Sequence, residues 1–211
     1  MLASSRKHGG RCVAGLSLEG NGLVRPVTGY GNGELFPYDH QLDPAPAELD
    51  VVRFHHSGFD GDPVQPENVV VDGSPWTSEG RLDPTVALEL IEPHLHTGHA
   101  ILGNRGKAIP AHVAMEGLDE SLCLIEPAGL ELVLTSDLKP IARFTHRGKN
   151  WDLPLTDFTV SAALRRTEQP GAHSLAQLGF GKPSRVVLLL SLGTNHHDWH
   201  SKLAAGVLLF P

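Results

Sequence analysis

Apolar positions along this chain fall mostly in short runs of period two, punctuated by Gly, Pro and Asn, which is the pattern of strands rather than helices. Cys12–Leu18 and Leu23–Thr28 flank the turn Gly20-Asn21-Gly22 and predict a hairpin. Leu49–His56 predicts a third strand, with Val51, Val52 and Phe54 as its apolar side chains. Gly29–Ala47 and the proline-rich Pro63–Asn68 read as loops. One helix stands out, from Asp83 to about Leu95. Asp83 suits the N-cap and Pro84 the first helical position, while Val86, Leu90 and Ile91 share one face.

Residues 97–117 are irregular and rich in Gly and Pro, and are expected to be a linker. Strand patterning then begins afresh. Leu122–Glu126 and Leu130–Thr135 flank Pro127-Ala128-Gly129 and predict one hairpin; Ile141–His146 and Trp151–Thr156 flank Arg147-Gly148-Lys149-Asn150 and predict another. Residues 161–184 read as a long polar loop with one helical turn at Ala162–Arg166. The continuous apolar run Val186–Leu190 predicts a buried central strand, and Leu203–Phe210 a final one. The whole predicts a mainly β protein of two small barrels, residues 1–96 with a trailing helix and residues 118–211, with one short helix between the halves.

Composition adds a constraint. At 211 residues and 40% hydrophobic content the chain can bury a real core, and its longest apolar runs fall short of the roughly 20 residues that span a bilayer. No apolar leader segment is visible, and Cys12 and Cys123 read as buried thiols of a reducing compartment, so a cytoplasmic protein is the default. The net charge of -7 is unevenly spread. Residues 1–33 carry +3, residues 34–137 carry -15 and residues 138–211 carry +5. Because screening confines a polyanion's view to a patch of about 8–10 Å, basic ends keep a nucleic-acid partner open despite the negative total. The acidic middle reads either as a solvated face or, around Asp60–Glu67, as a dock for a basic protein partner.

Three groups of residues invite chemistry. In Ser5–Gly15, Arg6, Lys7 and Arg11 supply donors, and Gly9 and Gly10 let backbone amides approach an anion. The alternative is a frayed terminus. Lys139, Arg143, Arg147 and Lys149 form an acid-free cationic stretch beside Trp151, which offers either a stacking surface for a base or an inward core residue. The 13 histidines include His94, His96, His99 and His196, His197, His200, which suggest a metal-dependent enzyme, but neither cluster has the framing of a known zinc motif. No nucleophile elbow, Walker loop or dinucleotide fingerprint is present. Thr156-Asp157 and Gln65-Pro66-Glu67-Asn68 read as turn and capping residues.

These segments also carry a resemblance. Ser5–Gly15, Val24-Arg25-Pro26-Val27, Leu49-Asp50-Val51-Val52, Gln65–Asn68, Ser121–Ile125, Ala142-Arg143-Phe144, Leu155-Thr156-Asp157, Ser191-Leu192-Gly193 and Lys202–Ala205 occur in the order found in the bacterial dual OB-containing domain family, which the chain resembles over nearly its whole length. The resemblance implies two OB-like barrels and a nucleic-acid- or nucleotide-binding module with links to bacterial conflict systems. His196–Ser201 departs from the pattern, where the family places a short Gly and Cys/Tyr turn before Lys-Leu. The resulting expectation is a non-catalytic module without cofactor or metal, binding single-stranded nucleic acid or a nucleotide. Ser5, Arg6, Lys7, Arg11, Arg25 and Asn68 would line its groove, with Arg143, Arg147, Lys149 and Lys202 extending it.

Overall fold

The computed structural model describes residues 1–7, 9–20 and 22–211, with the side chains of Arg6 and Lys7 outside that description. The first half contains β1 (Ala3–Lys7), β2 (Gly10–Leu16), β3 (Leu23–Val27), the one-turn helix α1 (Pro37–His40), β4 (Asp50–Arg53), β5 (His56–Phe59), β6 (Asn68–Val71), β7 (Thr77–Arg81) and α2 (Pro84–Ile91). The second contains β8 (Ala108–Pro110), α3 (Ala111–Ala114), β9 (Leu122–Ile125), β10 (Ala128–Leu134), β11 (Pro140–His146), β12 (Lys149–Pro154), α4 (Phe158–Arg166), β13 (Gly171–His173), β14 (Arg185–His196) and β15 (Trp199–Phe210). The chain is mostly β, with 44% of residues in strands and 14% in helices.

Four sheets result, ordered β1-β2-β3-β6-β5, β4-β7, β12-β11-β10-β13 and β8-β15-β14-β9. The last is the middle layer. Leu188, Leu190 and Leu192 pack with Phe144, Trp151 and Leu164 of the second half, whereas Val187 and Leu189 pack with Leu2, Ala14 and Ile91 of the first. Residues on β9 and β15 divide in the same way: Cys123 and Val207 face one core, Leu124 and Leu208 the other. A strand covered on both faces has no polar side to alternate, which is why residues 186–190 read as one apolar run. The ends of the chain meet on this layer. A Cβ at Gly206 would lie 2.7 Å from the Leu2 carbonyl oxygen, so only glycine permits that approach.

Several expectations are corrected. Residues 3–7, for which no strand was predicted, form a strand paired with β2. Leu122–Glu126 and Leu130–Thr135 do not form a hairpin, because β9 pairs with β14 while β10 pairs with β11. Leu49–His56 breaks near Phe54 into β4 and β5. Residues 97–117 are no free connector: β8 pairs with β15, and Ile101, Leu102, Ile109 and Ala114 enter the second core. On α2 the buried face is Ala87 and Ile91, and Val86 and Leu90 are exposed. More than one short helix is present, and the predicted helical turn Ala162–Arg166 is the C-terminal part of α4, which begins earlier at Phe158. Asp157 caps it, accepting the Val160 amide at 2.7 Å, while Val160 and Leu164 are buried.

Candidate functional site

Strand β3 places alternate side chains on opposite faces, so Arg25 points away from Val24 and Pro26. It points at the second half. Parallel pairing sets Arg25 beside Asn68 on β6, and its Nη1 donates to Asn68 Oδ1 at 2.9 Å and to Ser121 Oγ at 3.1 Å. Nη2 donates to Ser191 Oγ at 3.1 Å. Only 4% of Arg25 is exposed, and burial, ahead of the opposing field of Glu67, lowers its pKa. All three acceptors are neutral, and no carboxylate hydrogen-bonds to Arg25 among the described residues.

The neighbouring Gln65-Pro66-Glu67-Asn68 segment holds the two halves together. Glu67 accepts the amides of Ser121 and Leu122 at 2.7 and 2.9 Å and the Ser121 hydroxyl at 2.6 Å. Gln65 Nε2 donates to the Leu192 carbonyl at 2.9 Å. With its oxygens so engaged, Glu67 serves as a clamp rather than as a counter-ion in contact with Arg25. Beside this junction opens a cleft of about 240 Å³, walled by Ser5, Arg25, Gln65, Thr156, Ser191 and Thr194 among others.

The expected site residues separate into distinct environments. Ser5, on β1, bridges to Asp157 and lines the cleft with Arg25. Arg11 lies on the same hairpin, where it donates to Ser4 Oγ at 3.2 Å and sits 4.2 Å over the Phe158 ring. The side chains of Arg6 and Lys7, with His8 and Asn21, lie outside the described residues. Asn68 is buried and donates to Asp60 Oδ2 at 2.9 Å, so its role is to orient Arg25.

A groove extension from the second half is corrected. Lys202 is wholly buried. Its ammonium donates to the Ile101 carbonyl and, at 2.8 and 2.7 Å, to the carbonyl and side-chain oxygens of Asn104. Desolvation brings its pKa down to about 8. Arg143 is exposed but bonded to Asp152 at 2.9 Å and paired with Glu131 at 3.7 Å. Lys149 sits 4.1 Å over Trp151, and the Trp151 ring is buried, so it offers no face to a base. Arg147 is exposed at the hairpin turn. Lys202, Arg143 and Lys149 are thus engaged within the second half itself.

Among the described residues no three His, Cys, Asp or Glu side chains converge as metal ligands. Ring nitrogens of His96, His146 and His200 meet the carbonyls of Ala100, Gly98 and Gly193 at 2.6, 3.0 and 2.8 Å. His196 ends β14 and His200 lies on β15. Asp60 and Asp62 hold turns by accepting the amides of Asp62 and Val64. No described helix is long and apolar enough to cross a membrane.

A sequence profile for the dual OB-containing domain matches residues 1–207. The chain belongs to that family. Its mainly β architecture of OB type makes this dual OB-containing domain a β-barrel binding module. Comparison with curated proteins and with solved structures finds no match. Sequence reasoning missed Ser121, Ser191, Thr156 and Thr194. For Ser121 and Ser191 the available signal was a small hydroxyl set into an otherwise apolar strand, as in Ser121-Leu122-Cys123-Leu124 and Leu190-Ser191-Leu192.

Proposed function

We propose that this dual OB-containing domain is a non-catalytic module that binds single-stranded nucleic acid, or a nucleotide, at the cleft between its halves. The observation that carries the reading is Arg25, a buried cation bonded among the described residues to neutral oxygens alone, at the wall of a hydroxyl-rich cleft. At about 240 Å³ the cleft is smaller than the roughly 300–1,000 Å³ of whole-ligand pockets, and suits one phosphate with its sugar. Ser5, Thr156, Ser191 and Thr194 supply neutral donors for their oxygens. Arg6, Lys7 and Arg11 on the adjoining hairpin are assigned to neighbouring phosphates.

Tyr38 gives support for bases as well as phosphates. It is 63% exposed and stacks on Phe36 at 5.3 Å, in a segment that pairs with β2 through Leu35 and Arg11. An exposed ring so held offers a stacking face. The resemblance to a family linked with bacterial conflict systems gives the reading its setting, defence within the cytoplasm.

Fluorescence anisotropy of a labelled single-stranded oligothymidylate across a salt series tests it. The log–log slope should be about -0.7 per phosphate contact. The Arg6→Ala/Lys7→Ala variant should keep the wild-type melt and lose about 0.7 of slope per contact removed. Tyr38→Ala should cost about 1–3 kcal/mol of affinity. Absence of salt-dependent binding by the wild type, or wild-type binding by the Arg6/Lys7 variant, ends the proposal.

A further inference from the structure

A guanidinium carries five N–H groups, and Arg25 does not use all of its own within the protein. Asn68 and Ser121 take both hydrogens of Nη1, and Ser191 takes one of Nη2. Nε–H and the second Nη2 hydrogen meet no acceptor among the described residues. The Nε atom is not sealed off, since the fully enclosed side-chain nitrogens without a partner, among the described residues, are Trp76 Nε1 and Trp151 Nε1. Asn68 and Ser121 are buried behind the guanidinium, whereas Ser191 is half-buried and lines the cleft, so the Nη2 side is the one turned to the opening.

The rest of the wall suits the same kind of ligand. Ser5, Thr156, Thr194 and Ser201 add hydroxyls, and His196 adds an imidazole from the last position of β14. No Asp or Glu belongs to that wall among the described residues, in a chain that carries 24 of them. Glu67, whose field reaches Arg25, is turned to the amides of Ser121 and Leu122. Phe, Tyr and Trp are equally absent from the wall among the described residues, so a base finds no stacking surface inside the cleft. Strands β1, β3, β14 and β15 enclose a volume of only about 240 Å³ with Gln65 and Thr156. An internal phosphodiester needs room for the strand on both sides and brings a single charge. A terminal phosphomonoester needs one way in, and brings about -1.5 to -2 charges on three acceptor oxygens. We propose that the cleft holds a terminal phosphomonoester, the end group of a strand or of a mononucleotide, with Arg25 as its cation and His196 as the residue that selects it over an internal phosphate. The inference rests on the reading of this cleft as the nucleic-acid site and adds which phosphate enters it.

The test is a competition against an internally labelled oligothymidylate bound to the full chain. The competitors are the same oligothymidylate with a 5′-phosphate, with a 3′-phosphate, with hydroxyl ends, and closed into a covalent circle. One phosphorylated end should compete about tenfold better than the hydroxyl-ended strand and the circle, the worth of one charge-assisted hydrogen bond. Thymidine monophosphates, set against thymidine, separate the two sources. Displacement by a monophosphate at the strength of the phosphorylated strand gives the mononucleotide, and displacement by the phosphorylated strand alone gives the strand end; both uphold the phosphomonoester. His196 is exposed, so His196→Ala should keep the wild-type melt while its preference for the phosphorylated end falls to about twofold. Thr194→Val, also at an exposed position, should lower the preference as well. Equal competition by phosphorylated, hydroxyl-ended and circular strands overturns the inference and leaves nucleic-acid binding standing. Full preference retained by both variants overturns it too. Binding of no strand and no monophosphate defeats the underlying reading of the cleft instead, and the inference with it.

Discussion

Arg25 on β3 and Arg143 on β11 both lie mid-strand with an apolar residue on either side, Val24 and Pro26 for one, Ala142 and Phe144 for the other. Arg143 faces water and stands between Glu131 and Asp152 on the neighbouring strands, forming a cross-strand charge ladder. Arg25 faces the second half, and its guanidinium is held by an amide and two serines without a carboxylate. Two arginines of similar local sequence thus differ in kind. Solvated and paired, Arg143 has little charge to offer a polyanion; Arg25 has no carboxylate within hydrogen-bonding distance among the described residues, and its charge is sustained against burial by neutral acceptors and by the more distant field of Glu67. Positive charge counted along a chain is therefore a poor guide to positive potential at a site.

Arg25→Met should produce the largest effect. It strands Asn68, Ser121 and Ser191 at the junction, and the expected loss is about 3 kcal/mol, or about 6–12 °C in Tm for a chain of this length. Below its melt the variant should lose roughly ten- to a hundredfold in oligonucleotide affinity. Near-wild-type stability and binding would dissolve the contrast between the two arginines.

Lys202 sharpens the comparison as a second buried cation. The unfolded chain holds this proton up to about pH 10.4, whereas the folded chain releases it near pH 8. Between those values the unfolded state binds more protons, so urea midpoints should rise as pH increases from about 8 towards 10. Lys202→Met should flatten that rise.

Asp157 is the anionic counterpart. Burial outweighs its bonds from the Val160 and Val207 amides and raises its pKa to about 6. Here the folded state binds the extra proton, so its contribution is present at about pH 4 and is lost as pH rises to about 6. Asp157→Asn should remove that slope in thermal melts recorded across the range. The smallest effect belongs to Arg143→Ala, which should leave Tm unresolved from wild type because an exposed pair is screened by water. A melt displaced as far as that of Arg25→Met would show that exposure does not separate the two.

The elements that were readable in advance are those set by neighbours in sequence. The β2–β3 and β11–β12 hairpins follow from short turns between alternating runs, and α2 from Asp83 and Pro84. The false hairpin at 122–135 shows where such reasoning stops. Its turn residues suit a reversal, yet Leu122–Ile125 finds a better-covered place against β14, which lies more than 60 residues on. The candidate site was half visible: Ser5, Arg11 and Arg25 were named, but the Arg25 partners Ser121 and Ser191 were marked only by a hydroxyl set into an apolar strand.

Alternation along β3 already dictates that Arg25 and Val24 part company, and a run of five apolar residues at Val186–Leu190 already requires cover on both faces. What supplies the cover is a matter of long-range pairing. Packing of the first half on one side of β9-β14-β15 turned Arg25 from a surface cation into an enclosed one, and the loop carbonyls at Ile101 and Asn104 did the same for Lys202. A side chain's charge is written in its covalent structure, but the water and counter-charges around it depend on which distant strand comes to lie above it.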